Sequence, residues 1–191
     1  VKGLFAAGDA TGASSHKFSS GSHAEGRIAA KAACKFIVEN NTQPNVDQAA
    51  VDALRATILK PLDLYETHSG ETTDPYVNPN YLMPRQYMDR LQKIMDEYAG
   101  GVSMQFTTNK HLLDRGMELL DLLKEDSVKL AAENLHDLMR VWENVHRTWQ
   151  AEAHLRTLMF REETRWPGYY YRADFTEMNE DEWKCFANVK Y

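Results

Sequence analysis

The opening stretch, GLFAAGDATGASSHKFSSGSHAEGRIAAKAA, constrains the fold of this chain more than any other part and covers residues 3–33. Its apolar run predicts a buried strand, its centre a loop from Asp9 to Ser22, and its small-residue end a helix over about Ser22 to Val38. The helix carries small residues three and four positions apart, at Gly26, Ala30 and Ala33. A face so nearly free of side chains can pack closely against a sheet, as in dinucleotide-binding folds.

Two parts of this stretch are suited to bind a ligand. A carboxylate at the C-terminal end of a parallel strand, such as Asp9, can accept hydrogen bonds from sugar or ribityl hydroxyls. The run Ser19–Ser22 ends at the start of a helix, so its backbone N–H groups and the helix dipole favour phosphate oxygens or the electron-rich side of a reduced flavin. The alternative is a solvated turn in which Ser22 only caps a helix and Asp9 is a surface carboxylate.

From about residue 40 onward the sequence becomes helical. The loop Glu39–Asn45 is rich in turn formers. Four helical segments follow it, at 46–65, 83–101, 109–133 and 134–161. Apolar residues of the last segment alternate by three and four, which predicts a buried stripe. That stripe consists of Leu135, Leu138, Trp142, Val145 and Trp149. We expect three or four helices packed as a bundle, and an extended, aromatic-rich tail beyond Pro167 and Gly168.

Composition argues against several kinds of partner. A net charge of −6 without a clustered basic face argues against nucleic acid. No apolar run is long enough to cross a bilayer and no signal peptide is visible, so we expect a cytoplasmic protein without membrane insertion. Cys34 and Cys185 lie too far apart for a metal knuckle or disulfide framework, so no metal site is expected, and Cys185 is predicted to be a buried thiol.

The sequence of residues 3–33 resembles the second flavin-binding segment of the fumarate reductase and succinate dehydrogenase flavoprotein superfamily. Within it, SSHKFSSGSHAEGR is similar to the alpha (flavoprotein) subunits of dissimilatory adenylylsulfate reductases, as are RWPGYYYRADF and WKCFANVKY. The resemblance covers nearly the whole chain and implies an α+β, mostly helical fold. It implies the C-terminal segment of an FAD-binding domain at residues 1–40, a helical domain at 41–165 and an extended, truncated tail at 166–191.

The resemblance also implies how FAD is held. Asp9 takes the position of the acid that holds the ribityl chain of FAD. Ser20, Gly21, Ser22 and His23 take the positions of the turn whose amides approach the isoalloxazine, where a helix N-terminus favours the negative charge of the reduced ring.

His16, Lys17 and Phe18 stand where dicarboxylate enzymes of the superfamily have Asn-Arg-Leu. Because Lys lacks the bidentate fork of that Arg, a dicarboxylate substrate is disfavoured. His16 and Lys17 are the candidate catalytic residues, since His16 can orient sulfate oxygens and Lys17 adds positive potential. Phe18 offers an aromatic face that can stack on the adenine of a substrate, with the alternative that it only packs under the loop.

The activity that the resemblance implies is reduction of adenylylsulfate to AMP and sulfite, or the reverse, at FAD through a flavin N5-sulfite adduct. The resemblance also implies that electrons come from 4Fe-4S clusters of an iron-sulfur beta subunit, which is consistent with the two cysteines of this chain. The fingerprint G-x-G-x-x-G is missing from these residues. We therefore expect this chain alone to bind FAD weakly or not at all and to be inactive.

Two other functions stay open at this point. One is a dicarboxylate oxidoreductase similar to fumarate reductase or succinate dehydrogenase, which the run His16–Phe18 disfavours. The other is a non-catalytic helical module, in which the bundle and the aromatic tail bind a partner subunit.

Overall fold

The computed structural model describes residues 2–11, 18–41, 45–165, 170–185 and 187. These residues are mainly helical, which confirms the predicted fold class. The helices are α1 Ser19–Glu39, α2 Gln48–His68, α3 Pro84–Tyr98, α4 Lys110–Asp126, α5 Leu135–Phe160 and α6 Glu180–Trp183, and the strands are β1 Thr107–Thr108 and β2 Tyr171–Arg172. No helix in this described part is long and apolar enough to cross a bilayer.

Contacts divide the chain into two units, which we call the N-terminal unit, residues 1–51, and the bundle unit, residues 52–191. The predicted domain boundaries after residues 40 and 165 stay a prediction.

In the N-terminal unit, the predicted buried strand is extended backbone without a partner. Residues 4–7 pair with no strand among the described residues, and Leu4 is 72% exposed. A parallel strand needs neighbours for its backbone N–H and C=O groups, and this part of the chain supplies none. The helix that follows, α1, begins three residues earlier than predicted and ends at Glu39, one residue later.

The bundle unit has a continuous hydrophobic core. Helices α3, α4 and α5 pack on one another around Tyr87, Leu113, Leu120 and Leu155, all fully buried, and Leu59 and Leu62 of α2 pack against the same core. Burying one such side chain contributes about 1.5–3 kcal/mol relative to leaving it exposed. The bundle unit therefore contains a core of the kind that the periodicity predicted.

The ends of these helices follow the sequence signals. Pro84 opens α3, and the side chains of Asn109 and Asn134 accept backbone N–H bonds at the starts of α4 and α5. Gly100 follows α3 with a φ of +80°, and a Cβ there would lie 2.9 Å from Cε2 of Tyr170. Only glycine fits this position without strain, so the predicted stop of α3 is confirmed.

The buried face of α5 differs from the predicted stripe. Leu138 is buried and Trp142 and Val145 are partly buried, but Leu135 is 72% and Trp149 51% exposed. The buried line instead runs through two polar residues, Asn144 and Thr148. Thr148 donates to the Asn144 carbonyl (2.8 Å), and its Oγ1 lies 3.0 Å from the Tyr87 hydroxyl. A pattern of apolar residues does not include this line, because its members are polar. Their burial is possible because hydrogen bonds satisfy their polar groups.

The described part of the tail folds back onto the bundle. Strand β2 pairs in parallel with β1, with Thr107 opposite Tyr171 and Thr108 opposite Arg172. The Arg172 guanidinium is buried, where it donates to the Leu158 and Arg161 carbonyls and pairs with Asp174 (2.8 Å). The described part of the tail thus contains a short strand, β2, and a short helix, α6.

A second buried charge, the Glu163 carboxylate, ties the tail to the end of α5. It accepts hydrogen bonds from Arg165 (2.6 Å), Arg161 (2.5 Å) and the Asn179 N–H (2.9 Å). Burial alone would raise the pKa of Glu163, but these donors outweigh it and hold the pKa below its usual value. The prediction of a buried Cys185 thiol is wrong, because Cys185 is exposed and its carbonyl accepts from Arg161.

Candidate functional site

The candidate site lies in the N-terminal unit, where a short turn contacts the start of α1. Gly8–Ala10 form a single 3-10 turn, and the Gly8 N–H donates to Oε2 of Glu25 at 2.7 Å. Gly8 has a φ of +65°, and a Cβ there would lie 3.2 Å from Oγ of Ser22. A glycine is therefore required both by the backbone angle and by the close approach of α1.

The first turn of α1 presents backbone donors that bond to no acceptor among the described residues. Phe18 is the N-cap residue, and the first helical hydrogen bond runs from the Ser22 N–H to the Phe18 carbonyl (3.0 Å). The N–H groups of Ser19, Ser20 and Gly21 precede that bond, and no side chain of the described residues caps this end. They carry the positive end of the dipole of a 21-residue helix, which favours an electron-rich ligand.

Asp9 lies in the turn that contacts this helix start. Its side chain is exposed, as are those of Ser20 and His23 in the first turns of α1. Since Gly8 contacts both Ser22 and Glu25, the structure brings the turn that carries Asp9 and the predicted Ser20–His23 segment together. Their roles toward a cofactor stay predictions.

The Ser20–His23 segment is helical in the structure. Ser22 is the fourth residue of α1, so the alternative in which it caps the helix does not apply. The donors available to a ligand are shifted by one residue toward the N-terminus, to Ser19, Ser20 and Gly21.

The alternative that Phe18 packs under the loop stays open, because most of that loop lies outside the described residues. Phe18 is 85% exposed. Its ring is thus available to stack on a planar ligand. His16 and Lys17 lie outside the described residues, and their assignment as candidate catalytic residues stays a prediction.

Aromatic packing holds the chain before the turn against the C-terminal half of α1. The rings of Phe5 and Phe36 meet edge to face with centroids 6.0 Å apart. Gly3, with a φ of +83°, brings the backbone to the same ring, since a Cβ there would lie 3.4 Å from Cε1 of Phe36. The turn is therefore anchored to α1 at two points, Phe36 and Glu25.

Glu25 is the residue of this site that the sequence analysis missed. The spacing Ser22-x-x-Glu25 matches a capping box, in which the acid would bond to the backbone N–H of the N-cap residue. Because α1 begins at Ser19, Glu25 lies inside the helix and accepts from Gly8 instead. The spacing could have singled out this acid, but the partner 17 residues away follows only from the fold.

These residues fit one side of a flavin. An exposed acid can accept from ribityl hydroxyls, and backbone N–H groups at a helix start can donate to the electron-rich edge of the ring. Among the described residues of the N-terminal unit, a Gly-rich loop for the pyrophosphate is missing, as it is from the sequence. The unit therefore fits part of an FAD pocket.

The sequence is similar to a curated adenylylsulfate reductase subunit. It is 48% identical to the alpha subunit of adenylylsulfate reductase from Megalodesulfovibrio gigas over 192 aligned residues, which include all of this chain and 29% of that subunit. No family model matches the sequence. The chain thus spans about 29% of the length of its curated relative.

Solved structures give the same result. Adenylylsulfate reductase from Archaeoglobus fulgidus matches 97% of this chain with a TM-score of 0.90 and 56% identity, and this chain covers 29% of it. A structure of adenosine-5-phosphosulfate reductase with a covalent sulfite adduct matches with the same values. The Sdh1 complex of Mycobacterium smegmatis matches 93% of this chain with a TM-score of 0.64 and 21% identity, which speaks for the fold alone.

Proposed function

We infer that this chain, a homologue of adenylylsulfate reductase alpha subunits over its whole length, is part of a flavoprotein that interconverts adenylylsulfate with AMP and sulfite. Two findings support this proposal together. The chain is 48% identical to such a subunit. Its Gly8–Ala10 turn and the start of α1, which no described side chain caps, offer a carboxylate and backbone N–H donors suited to one side of a flavin. The second finding carries the proposal, because it provides groups that the chemistry needs.

FAD, when bound, supplies the two-electron chemistry of this reaction. In the pocket proposed here, the Asp9 carboxylate accepts hydrogen bonds from ribityl hydroxyls. The N–H groups of Ser19, Ser20 and Gly21 donate to the ring edge that becomes negative on reduction. Fixed donors at that edge favour the reduced state, because they need no reorganisation as charge develops.

Phe18 is the proposed wall for the substrate's adenine. Its 85% exposed ring adjoins the N–H donors, since it is the N-cap residue of α1. Stacking of a base on an aromatic ring contributes about 1–3 kcal/mol. His16 and Lys17, directly before it in sequence, add hydrogen bonds and positive charge for the sulfate group of an anionic substrate.

The remaining parts of the proposal concern the whole protein. Electrons pass between this flavoprotein and an iron-sulfur beta subunit that holds 4Fe-4S clusters, in the cytoplasm. The rest of the flavoprotein supplies the pyrophosphate loop, so this chain alone binds FAD weakly. The dicarboxylate alternative is not favoured, because the relatives at 48–56% identity are adenylylsulfate reductases, whereas the Sdh1 complex is only 21% identical.

The proposal is tested by the visible spectrum of the intact flavoprotein with its partner subunit under anaerobic conditions. We expect sulfite to bleach the oxidised flavin and AMP, added next, to allow reduction of the clusters. Succinate is the control substrate. Bleaching by succinate without a response to sulfite would overturn the proposal in favour of the dicarboxylate alternative.

Variants assign the residues. Phe18→Ala is expected to raise the KM for adenylylsulfate about 5- to 150-fold, from the loss of about 1–3 kcal/mol of stacking. Asp9→Ala is expected to lower the FAD content after gel filtration. Phe160→Ala and Asp89→Ala, at exposed positions of the bundle unit, are the matched controls. Equal KM values and FAD contents in all four variants would remove Phe18 and Asp9 from the site.

A further inference from the structure

A small pocket in the bundle unit is lined by three arginines. It lies between the start of α3 and the middle of α5 and has a volume of about 70 Å³. Its walls are Pro84, Arg85, Met88, Arg140, Asn144 and Arg147. This volume is several times the roughly 10–15 Å³ that one water molecule needs, so the pocket has room for a small ion.

The arrangement of the arginines follows from the two helices. Arg140 and Arg147 are seven residues apart on α5, which places them on one face about two turns apart. Asn144 lies between them and is only 2% exposed, and its side-chain amide donates to the Pro84 carbonyl at 2.7 Å. This buried hydrogen bond fixes the start of α3, and with it Arg85, against the arginine face of α5.

The pocket carries more positive charge than its surroundings neutralise. Arg147 pairs with Glu143 (3.2 Å), and Arg140 donates to Nε2 of His136 (3.0 Å). Among the described residues, neither Arg85 nor Arg140 has a carboxylate within ion-pair distance. Most other arginines of the bundle unit do have one, namely Arg90, Arg115, Arg156, Arg161, Arg165 and Arg172, whereas Arg55 has none among the described residues.

We propose that this arginine pocket binds a small tetrahedral oxyanion of the sulfate and phosphate class. A guanidinium donates two parallel hydrogen bonds to such an ion, and several guanidiniums around one pocket match its charge and its oxygens. Asn144 acts as a positioning residue, because its amide holds the two helices that carry the arginines. The proposal stands on the bundle unit and does not depend on the flavoprotein assignment.

The test measures binding of inorganic phosphate to the intact protein by isothermal titration calorimetry, in chloride buffer at constant ionic strength. We expect saturable binding that sulfate competes away. Arg85→Gln and Arg140→Gln should each weaken it at least about tenfold, since a hydrogen bond to a charged group is worth about 1.5–3 kcal/mol. Arg140→Lys, which keeps the charge and loses the fork, should bind with intermediate affinity.

Two controls separate this pocket from other anion sites. Arg115→Gln removes an exposed arginine of α4 that pairs with Glu118, and it should leave phosphate affinity unchanged. Lys93→Gln removes an exposed lysine of α3 that pairs with Glu97, and it should also leave phosphate affinity unchanged. Absence of saturable phosphate binding would overturn the proposal, and so would equal affinity in Arg140→Gln, Arg85→Gln and Arg115→Gln. Thermal unfolding in chloride checks that each variant is folded.

Discussion

The two units of this chain differ in where their stability and their candidate chemistry lie. In the bundle unit, α3, α4 and α5 each bury several residues in a shared core. In the N-terminal unit, the 21-residue helix α1 has no fully buried residue among those described, although it carries the proposed flavin donors. Most helices in proteins are stabilised by packing of an apolar face rather than by propensity. In this chain, the candidate site therefore lies on the unit whose long helix buries the fewest residues.

The exposed apolar side chains of α1 show what this helix lacks. Ile28, Ile37 and Val38 are 66–80% exposed, and a Cβ at Gly26 would meet nothing within 4 Å. The small-residue face predicted to pack on a sheet is thus uncovered by the described residues. Four predictions test this difference between the units, and they follow in order of decreasing effect.

Hydrogen exchange should show the largest contrast. The core amides of α4 exchange only when the bundle unit unfolds. The amides of α1 in the isolated chain exchange through local unfolding. If the bundle unit has a stability of about 5 kcal/mol, α4 amides should exchange at least about a thousandfold more slowly than α1 amides. Mass spectrometry of the 191-residue chain measures this, and equal protection of both helices would remove the contrast.

Arg172→Ala should destabilise the bundle unit by about 3–5 kcal/mol. It removes a buried guanidinium together with its hydrogen bonds to Asp174 and to the Leu158 and Arg161 carbonyls. Urea unfolding is the measurement. The matched control is Arg115→Ala, which breaks an exposed pair with Glu118 and should cost at most about 1 kcal/mol. Similar losses in both variants would show that the tail contributes little to the bundle.

A pair of truncations compares the two units directly. Leu120→Ala opens a cavity in the core and should cost about 2–5 kcal/mol. Ile37→Ala on α1 should change the stability of the isolated chain by no more than about 0.5 kcal/mol, because Ile37 is 66% exposed. Guanidinium unfolding followed by far-UV circular dichroism measures the stability of both variants. A large loss with Ile37→Ala would show that α1 packs more tightly than its exposure indicates.

The pH dependence of stability should be the smallest effect. The folded pKa values of Glu163 and Asp174 lie below their usual values, the latter mainly through its hydrogen bonds with Arg172. Their contribution is present above the unfolded pKa values of about 4 and is lost as pH falls through the folded ones. Glu163→Gln should therefore flatten the loss of stability between about pH 5 and pH 3. The neighbouring exposed Glu162→Gln should keep the wild-type slope, and an equal flattening there would contradict the assignment.

Much of the bundle could be predicted from the sequence, because local signals determine its elements. Pro84 and Gly100 mark the two ends of α3 by their own backbone preferences, and the structure places the ends there. The buried polar line of α5 could not be predicted, since Asn144 and Thr148 are buried only because Pro84 and Tyr87 of another helix satisfy them. Hydrogen bonds between residues 60 and 61 positions apart leave no local pattern in the sequence.

The candidate site shows the same division. Asp9 and the Gly/Ser run could be proposed from the strand-loop-helix pattern, and Phe18 from the resemblance to the flavoprotein superfamily. The exact start of α1 and the bond from Gly8 to Glu25 could not, since both depend on how the turn lies on the helix.

The parallel pairing of β1 with β2 also determines when the bundle can close during synthesis. Thr108 pairs with Arg172, which the ribosome adds 64 residues later. At about 5–20 residues per second, the nascent chain waits roughly 3–13 s between these two residues. Helices α3 and α4 can pack as a hairpin in that interval. The strand between them, β1, stays without its partner strand until Arg172 has been added. A chaperone that acts on this nascent chain would therefore find its substrate in the seconds before the tail is made.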